Sequence, residues 1–355
     1  MTPRALLSER LRSHRLTAPA RTIGDAAAHM LAVQSQEFLA GRWALGIRTA
    51  GSPALSAVDR AFASGELVRS WTMRGTLHIV PAADLRWVLS VTGERQRRQV
   101  AGRHRELGID AEVLSRVAAS LRPKLADGGR TRAQLLDDIA ELGIDPSAQR
   151  GVHIIGALCV DTVLVQGPVV ARDDAVGREQ LFVLADAHLR TERTPDDPLA
   201  ELFVRYIDGH GPAGAADFAW WSGLTLGSAR EAVVRAGDRV AEVDDGLFVS
   251  AERPRRRRGA DDDEVRALPM FDEYYISYAD RGAVADAEAM ATIGPGKNGM
   301  VRASLLARGR IAGAWTHSAA VGRHRDVPVA EVFDETLDED AVAAALSRYS
   351  AFVSG

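Results

Sequence analysis

Two neutral amides, Gln34 and Gln36, stand where an apolar helical pattern ends, in the stretch MLAVQSQEF at residues 30–38. Glutamine is neither a strong base nor a nucleophile, but its amide can bind a water molecule or the edge of a base. Residues i and i+2 do not share a face of a regular helix. The two amides can therefore serve one water only if the helix ends or unwinds between Val33 and Glu37. On spacing alone, two polar residues at a helix end are the simpler interpretation.

A second group of residues is basic. The stretch 95–105 contains five arginines and a histidine, and acids occur only at its flanks. On a helix, Arg95, Arg98 and Arg105 share one face, and arginine suits bidentate phosphate contacts. Such contacts give affinity and register rather than sequence reading. We therefore predict that these three arginines bind DNA, with a solvated helix face as the alternative.

The distribution of charge agrees with a nucleic-acid partner, although the total does not. The chain of 355 residues has a net charge of −4, but residues 1–130 carry 20 Lys/Arg against 11 Asp/Glu, a local net of +9. The remainder therefore carries −13. A basic front half on an acidic chain is typical of nucleic-acid binders. The single cysteine, Cys159, excludes an internal disulfide and a thiolate metal cluster.

A pattern of helices followed by a β-hairpin occurs three times. The hairpins are predicted around Arg74-Gly75, around Gly167-Pro168 and around Asp244-Asp245-Gly246, and Thr22, Thr131 and Ser228 are predicted to begin capping boxes. Helices with such a hairpin are typical of a winged helix. We predict an α+β fold, mainly α, with three tandem winged-helix domains and a C-terminal β-rich domain. The predicted bounds are 1–125 for the first winged helix with its N-terminal and basic helices, 126–192 for the second, 193–252 for the third, 253–267 for a charged linker, and 268–355 for the β-rich domain with a terminal helix.

Common signatures of catalysis are missing from the sequence. There is no HExxH, GxSxG, P-loop or dinucleotide fingerprint. The nine histidines are dispersed, so we expect no metal site and no cofactor. No run of 18 apolar residues occurs, which predicts no membrane span. Together with the cysteine count and the absence of a signal-peptide pattern, this favours a cytoplasmic location.

Four stretches resemble one known family. VQSQE at 33–37, WALGIR at 43–48, SWTMRGTLHIV at 70–80 and LPMFDEYYISYADR at 268–281 are similar to the winged-helix DNA glycosylases named after AlkZ and YcaQ. The resemblance extends over essentially the whole chain. It implies excision of alkylated purines, including N7-alkylguanine adducts and interstrand crosslinks. It also implies that Gln34 and Gln36 are the family's catalytic Gln-x-Gln pair, with Ser35 where the family usually has an apolar residue.

The first wing supplies the remaining candidates. We expect Arg69, Trp71, Arg74 and His78 to contact DNA beside the lesion. The alternatives are that the arginines solvate the hairpin and that Trp71 packs beneath it. Glu37 could orient the glutamines or pair with Arg42. Tyr274, Asp280 and Arg281 are expected to serve folding.

These observations predict a monomeric, monofunctional DNA-repair glycosylase of a bacterial cytoplasm, associated with the nucleoid during repair. Its partner would be double-stranded DNA carrying alkylated or crosslinked purines, in general repair or in self-resistance to an antibiotic. The main alternative is a non-catalytic winged-helix DNA-binding protein, either a regulator or a lesion-shielding factor. A protein-interaction scaffold is a second alternative, because winged helices also bind proteins.

Overall fold

The computed structural model describes residues 1–126, 128–170, 176–252, 263–296, 298–316, 327–334 and 336–355. Most of the predicted charged linker, residues 253–262, lies outside the described residues, as does Lys297. The chain forms two compact units. The discontinuous unit consists of Met1–Val58 and Leu199–Gly355, and the central unit consists of Asp59–Pro198. This grouping differs from a linear series of domains, and the predicted winged-helix borders stay a prediction.

The first segment of the discontinuous unit is mainly helical. Its elements are α1 (Pro3–Ser13), α2 (Ile23–Met30), β1 (Val33–Gln34), α3 (Phe38–Gly46) and the start of α4 (Leu55–Ala63). Thr22 begins α2 as predicted, because its hydroxyl accepts a hydrogen bond from the Asp25 N–H at 3.0 Å.

The central unit combines helices with an antiparallel sheet. Its elements are β2 (Leu67–Met73), β3 (Thr76–Pro81), α5 (Leu85–Glu106), α6 (Ala111–Leu125), α7 (Arg132–Glu141), α8 (Arg150–Val160), β4 (Leu164–Val169), β5 (Gln180–Leu184) and α9 (Ala185–His188). Within this unit the strands follow the order β3-β2-β4-β5. The predicted hairpin of β2 and β3 is present, with Ser70 opposite His78 and with Arg74-Gly75 at the turn. Thr131 begins α7 in a complete capping box with Gln134.

The second predicted hairpin turn is wrong. Gly167 and Pro168 lie inside β4, which pairs with β5 across a longer connection. The register between the two strands shifts between Gln166 and Val169. A bulge of this kind accommodates a proline that cannot donate a ladder hydrogen bond, so the Gly-Pro pair interrupts the ladder without reversing the chain.

The second segment of the discontinuous unit carries most of its strands. Its elements are α10 (Pro198–His210), α11 (Ala215–Ser222), α12 (Leu226–Ala236), β6 (Val240–Asp244), β7 (Leu247–Ser250), β8 (Arg266–Leu268), α13 (Glu273–Ile276), α14 (Ala287–Ile293), β9 (Ser304–Ala307), β10 (Arg310–Thr316), β11 (Val329–Val332) and α15 (Glu339–Ser354). The hairpin of β6 and β7 and the terminal helix are confirmed. The predicted cap at Ser228 is wrong, because Thr225 caps α12 and accepts from the Ser228 N–H at 3.0 Å. The true cap therefore lies three residues earlier.

The C-terminal part is built on an antiparallel sheet of order β11-β10-β9-β8. Its core includes residues from the other end of the chain, because Leu7 and Leu11 of α1 pack in one cluster with Leu268, Tyr274 and Ile311. The β-rich part and the N-terminal helix therefore share one hydrophobic core. Helix α15 packs on β8 and α3.

The fold is a mixed α+β fold, mainly helical, with antiparallel sheets, as predicted. The count of three winged helices remains a prediction. In the part of the chain that the structure describes, no helix has both the length and the apolar character needed to cross a bilayer.

Candidate active site

The segment between α2 and α3 carries both glutamines, and its backbone is not helical. Helix α2 ends at Met30, and Leu31 has a φ of 61°, a conformation that is unusual for a residue with a branched side chain. Val33 and Gln34 are extended, and α3 begins at Phe38. The segment from Leu31 to Glu37 is therefore not helical, which meets the condition for both amides to serve one water.

The two glutamines differ in exposure. Only 7% of Gln34 is accessible to solvent, Ser35 between them is fully buried, and Gln36 is exposed. One amide thus belongs to the protein interior and the other faces solvent. A buried amide is restricted to few orientations, whereas an exposed one can meet a water molecule or a ligand without rearrangement of the core.

Glu37 has a role that the sequence did not assign to it. It is the N-cap of α3, and its carboxylate accepts from the backbone N–H groups of Leu39 at 3.3 Å and Ala40 at 2.6 Å. A carboxylate at a helix start is stabilised by these N–H groups and by the helix dipole. The cap fixes where α3 begins, one residue after Gln36. The Arg42 guanidinium lies over the Phe38 ring, 4.1 Å from its centroid.

A buried carboxylate contacts the backbone of Gln34. Glu273, the first residue of α13, is completely buried, and its Oε1 accepts from the Gln34 N–H at 2.7 Å. Its Oε2 accepts from the Trp221 Nε1–H at 3.1 Å and from the Ser277 hydroxyl. His210 Nε2 lies 3.5 Å from the same oxygen.

The preceding residue makes a second buried contact with the same region. Asp272 forms a two-pronged ion pair with Arg48, with both N–O distances at 2.8 Å and both side chains buried. Arg48 follows α3 directly, and its Nη1 also donates to the carbonyl of Ala44 at 3.0 Å. The Asp272-Glu273 pair therefore contacts the chain before α3 and after it.

Sequence reasoning missed Glu273 and its neighbours. The signal was available in the stretch FDEYY, because two adjacent acids within an apolar run must either face solvent or find buried partners. Nothing in the sequence shows that the partner of Glu273 is a backbone group 239 residues away. Tyr274, expected to serve folding, is buried and donates to the carbonyl of Gly309 at 3.0 Å.

The wing residues of the central unit divide by burial. Arg69 and His78 are buried; Arg69 donates to Gln166 Oε1 at 2.9 Å, and His78 Nδ1 lies 3.1 Å from the Thr76 carbonyl. Trp71 is half-buried and packs against the hydrophobic core of this unit. Arg74 is half-buried at the turn, where its φ is 54°. Their contacts with DNA remain predictions.

The three predicted arginines of α5 are all exposed on one continuous helix. Gly102 does not end that helix, which runs to Glu106. The buried side of α5 is fixed to β2, because Thr92 and Gln96 both donate to the Thr72 carbonyl, at 2.5 Å and 2.8 Å. Arg98 also pairs with Glu94 at 2.9 Å.

Other ionisable groups offer no metal site. Among the residues with described positions, no group of three or more His, Cys, Asp or Glu side chains is arranged to bind a metal ion. Burial raises the pKa of the Cys159 thiol well above its usual range, so this residue behaves as a core side chain.

Comparison with known proteins identifies the class of this chain as DNA glycosylase. The profile of the family described as DNA glycosylase AlkZ-like matches residues 27–352. The chain belongs to this family of DNA glycosylases, which confirms the resemblance seen in the sequence. It is 23% identical over 309 residues to the interstrand DNA cross-link repair glycosylase of Streptomyces sahachiroi, across 82% of this chain and 81% of that protein. The solved structure of Streptomyces sahachiroi DNA glycosylase AlkZ superposes with a TM-score of 0.80 at 21% identity, covering 99% of this chain and 98% of that one, and shows the same fold.

Proposed function

We propose that this glycosylase hydrolyses the N-glycosidic bond of N7-alkylpurines in double-stranded DNA, including purines joined in interstrand crosslinks, and that Gln34 and Gln36 position the attacking water. The observation that carries the proposal is the non-helical segment between α2 and α3, in which a buried and an exposed glutamine stand two residues apart. The name of the Streptomyces sahachiroi relative, a cross-link repair glycosylase, supports crosslinks as substrates.

The chemistry suits neutral amides. An N7-alkylated guanine is already cationic, so its glycosidic bond is weak and the leaving base needs little acid assistance. The sugar then passes through an oxocarbenium-like transition state, as in glycoside hydrolysis. The protein has to place a water and stabilise developing charge, which fixed amide dipoles can do. In this proposal the exposed Gln36 side chain binds the attacking water. The buried Gln34 side chain is the less mobile member of the pair.

A monofunctional reaction is favoured over lyase chemistry because the chain has only two lysines, Lys124 and Lys297. Lys124 forms ion pairs with Asp138 at 2.6 Å and with Glu141. These hydrogen bonds raise the pKa of its ammonium group. A charged ammonium is not a nucleophile, so Lys124 is a poor candidate for a Schiff base. We therefore expect strand cleavage to appear only when alkali is added after base release.

The test is release of N7-methylguanine from a defined duplex, and unhooking of a duplex crosslinked through two N7-guanines, under single-turnover conditions. An enzyme-free reaction corrects for spontaneous depurination. Gln34→Ala and Gln36→Ala should each abolish most of the enzymatic release while binding to the same duplex is retained. Glu288→Ala, a change of an exposed side chain on α14 and outside the predicted DNA-binding residues, should leave release unchanged.

The outcomes test the role of the glutamine pair and the non-catalytic alternative separately. Release by the wild type that survives both substitutions would contradict the role of the glutamine pair. No release by the wild type from either substrate, with DNA binding intact, would favour the non-catalytic DNA-binding alternative.

A further inference from the structure

Each oxygen of the Glu273 carboxylate accepts a hydrogen bond from a group that can only donate. The Gln34 backbone N–H and the Trp221 indole N–H point at different oxygens of its carboxylate, and neither group can accept a hydrogen bond. The Ser277 hydroxyl donates to the second oxygen. A carboxylate, with an acceptor oxygen on each side, matches these two obligate donors. An amide of the same shape does not, because its NH2 group would face one of the two obligate donors.

The contact with Gln34 fixes a backbone that has no helical hydrogen bonds of its own. Gln34 lies in the extended part of the segment, and its N–H is bound by a side chain from a residue 239 positions later in the chain. Buried charges are costly unless they are paired or hydrogen-bonded, so the Glu273 carboxylate strongly favours the conformation in which all its donors are in place. The backbone N–H of Gln34 is one of them. The position of the Gln34 backbone in turn determines where its amide group can reach.

Two further contacts support the same geometry from the other side. Asp272 is paired with Arg48 just after α3, and Glu37 caps the start of α3. The short segment of Gln34, Ser35 and Gln36 is thus bounded by an anchored backbone at one end and an anchored helix at the other. Small displacements of the Gln34 backbone are opposed by Glu273, and Asp272, the preceding residue, holds the chain just after α3.

We propose that Glu273 is a positioning residue for the glycosylase reaction: it acts through the backbone of Gln34 to hold the glutamine pair in the geometry that orients the attacking water. This inference rests on the proposed function of Gln34 and Gln36. Glu273 does not contact DNA or water in this assignment. Its effect is on the rate constant of the chemical step.

The decisive measurement is a single-turnover time course with N7-methylguanine duplex, analysed separately for rate constant and amplitude, with Glu273→Gln as the variant. The rate constant should fall by ~10–100-fold, the range expected when a catalytic group moves by about 1 Å. The dissociation constant for the duplex should not change. A purely structural role would lower the amplitude, which reports the folded fraction, and would leave the rate constant of the folded molecules at the wild-type value.

Asp84→Asn is the matched control. Asp84 is a completely buried carboxylate that also accepts from an indole, the Trp87 Nε1–H at 2.8 Å, and from Arg193 at 2.9 Å. It belongs to the central unit, and the proposal gives it no part in positioning Gln34. Its replacement should lower the melting temperature and keep the rate constant. Equal losses of rate constant in Asp84→Asn and Glu273→Gln would overturn the proposal.

A double variant adds a rescue test. Trp221→Phe removes one obligate donor, so in that background the amide of Glu273→Gln can turn its NH2 group toward the vacated side and toward the Ser277 hydroxyl, and keep its oxygen for the Gln34 N–H. The rate constant of the double variant should therefore exceed that of Glu273→Gln alone. A double variant slower than either single variant would contradict the argument from the two obligate donors.

Two outcomes remain distinct from these. If Glu273→Gln gives no folded protein, Ser277→Ala takes its place: loss of one donor loosens the carboxylate and should lower the rate constant at full amplitude, and a wild-type rate constant would overturn the proposal.

If wild-type protein releases no base, the proposed function fails and this inference fails with it. If wild type is active, Gln34→Ala is inactive and Glu273→Gln is as fast as wild type, only the inference fails.

Discussion

At the scale of single residues, Gln34 and Gln36 have identical side chains but differ in burial, and so in their expected contribution to stability. Gln34 is buried and its backbone is bound by Glu273, whereas Gln36 is exposed. A buried polar group contributes to stability through its hydrogen bonds, and an exposed one contributes little. The two substitutions should therefore agree in activity and disagree in stability.

We expect Gln34→Ala to lower the free energy of unfolding by about 1 kcal/mol, because a buried amide is lost. Gln36→Ala should change it by less than about 0.5 kcal/mol, as is usual for surface substitutions. Urea unfolding of the two variants beside the wild type measures both values. Equal destabilisation by the two changes would show that the difference in burial has no energetic consequence.

The ion pair of Arg48 and Asp272 leads to a second residue-level prediction. Both side chains are buried, so Asp272→Ala leaves an unpaired guanidinium in the interior and should cost ~3–5 kcal/mol. The double variant Arg48→Met/Asp272→Leu removes both charges and should regain most of that loss. Chemical denaturation of the single and double variants provides the test, and a double variant as unstable as the single one would be the opposite result.

The sequence made the glutamine pair a candidate mainly through the family resemblance, because on spacing alone two polar residues at a helix end are the simpler interpretation. The geometric demand that i and i+2 act together required an interruption between Val33 and Glu37, and the helix in fact ends earlier, at Met30. Glu273 could not be found in this way, since the contact with Gln34 is a backbone hydrogen bond across 239 positions. Local patterns carry no information on such a pairing.

At the scale of elements, α5 has a packed side and an exposed basic side. Thr92 and Gln96 fix one side to β2, and arginines occupy the exposed side. Phosphate contacts by arginine release counterions, so the affinity for duplex DNA should depend on salt in proportion to their number.

We predict that Arg95→Gln, Arg98→Gln and Arg105→Gln each weaken binding to undamaged duplex and lower the slope of log affinity against log salt by about 1. Arg97→Gln is the control, because Arg97 lies on another side of the helix and pairs with Asp161 at 2.9 Å. Titrations by fluorescence anisotropy at several salt concentrations give both quantities. A salt slope equal to the wild-type value in Arg95→Gln, Arg98→Gln and Arg105→Gln would exclude these arginines from the DNA-binding surface.

Elements differ in how well local signals predict them. The β2–β3 and β6–β7 hairpins were predicted because each has a turn sequence at the point where the chain reverses. Gly167-Pro168 carries an equally strong turn signal, yet β4 continues through it with a shifted register. The partner strand determines whether Gly-Pro becomes a turn or a bulge, and the partner strand is not part of the local sequence.

At the scale of the whole molecule, the discontinuous unit contains histidines that stay neutral when it is folded. His29 Nε2 lies 2.7 Å from the Ser13 carbonyl, and its Nδ1 lies 3.2 Å from an Arg15 nitrogen. Burial, and next the charge of Arg15, lower the pKa of His29 to about 4. Burial, and next His210, hold the pKa of His14 well below its usual range.

These shifts predict that the protein loses stability in mild acid. A lowered pKa in the folded state means that the unfolded chain binds more protons between about pH 6.5 and pH 4, so the free energy of unfolding falls as pH falls through that window. For His29 alone the loss between pH 7 and pH 5 should be about 2 kcal/mol. Urea unfolding at both pH values measures the loss, and His29→Gln should make it smaller. A loss that is unchanged in His29→Gln would assign the effect to other groups.

The discontinuous unit is completed only by residues from both ends of the chain, which matters during synthesis on the ribosome. Leu7 and Leu11 share a core with Leu268 and Ile311. The Gln34 backbone N–H obtains its carboxylate acceptor only after Glu273 has been synthesised. At translation rates of about 5–20 residues per second, the nascent N-terminal segment waits for tens of seconds while the central unit emerges and can already fold. During that interval the apolar face of α1 lacks the residues that it packs against in the folded protein, so we expect a chaperone to bind it. The geometry of the glutamine pair is therefore among the last features of the molecule to form, and a truncated chain would lack it even if its central unit were intact.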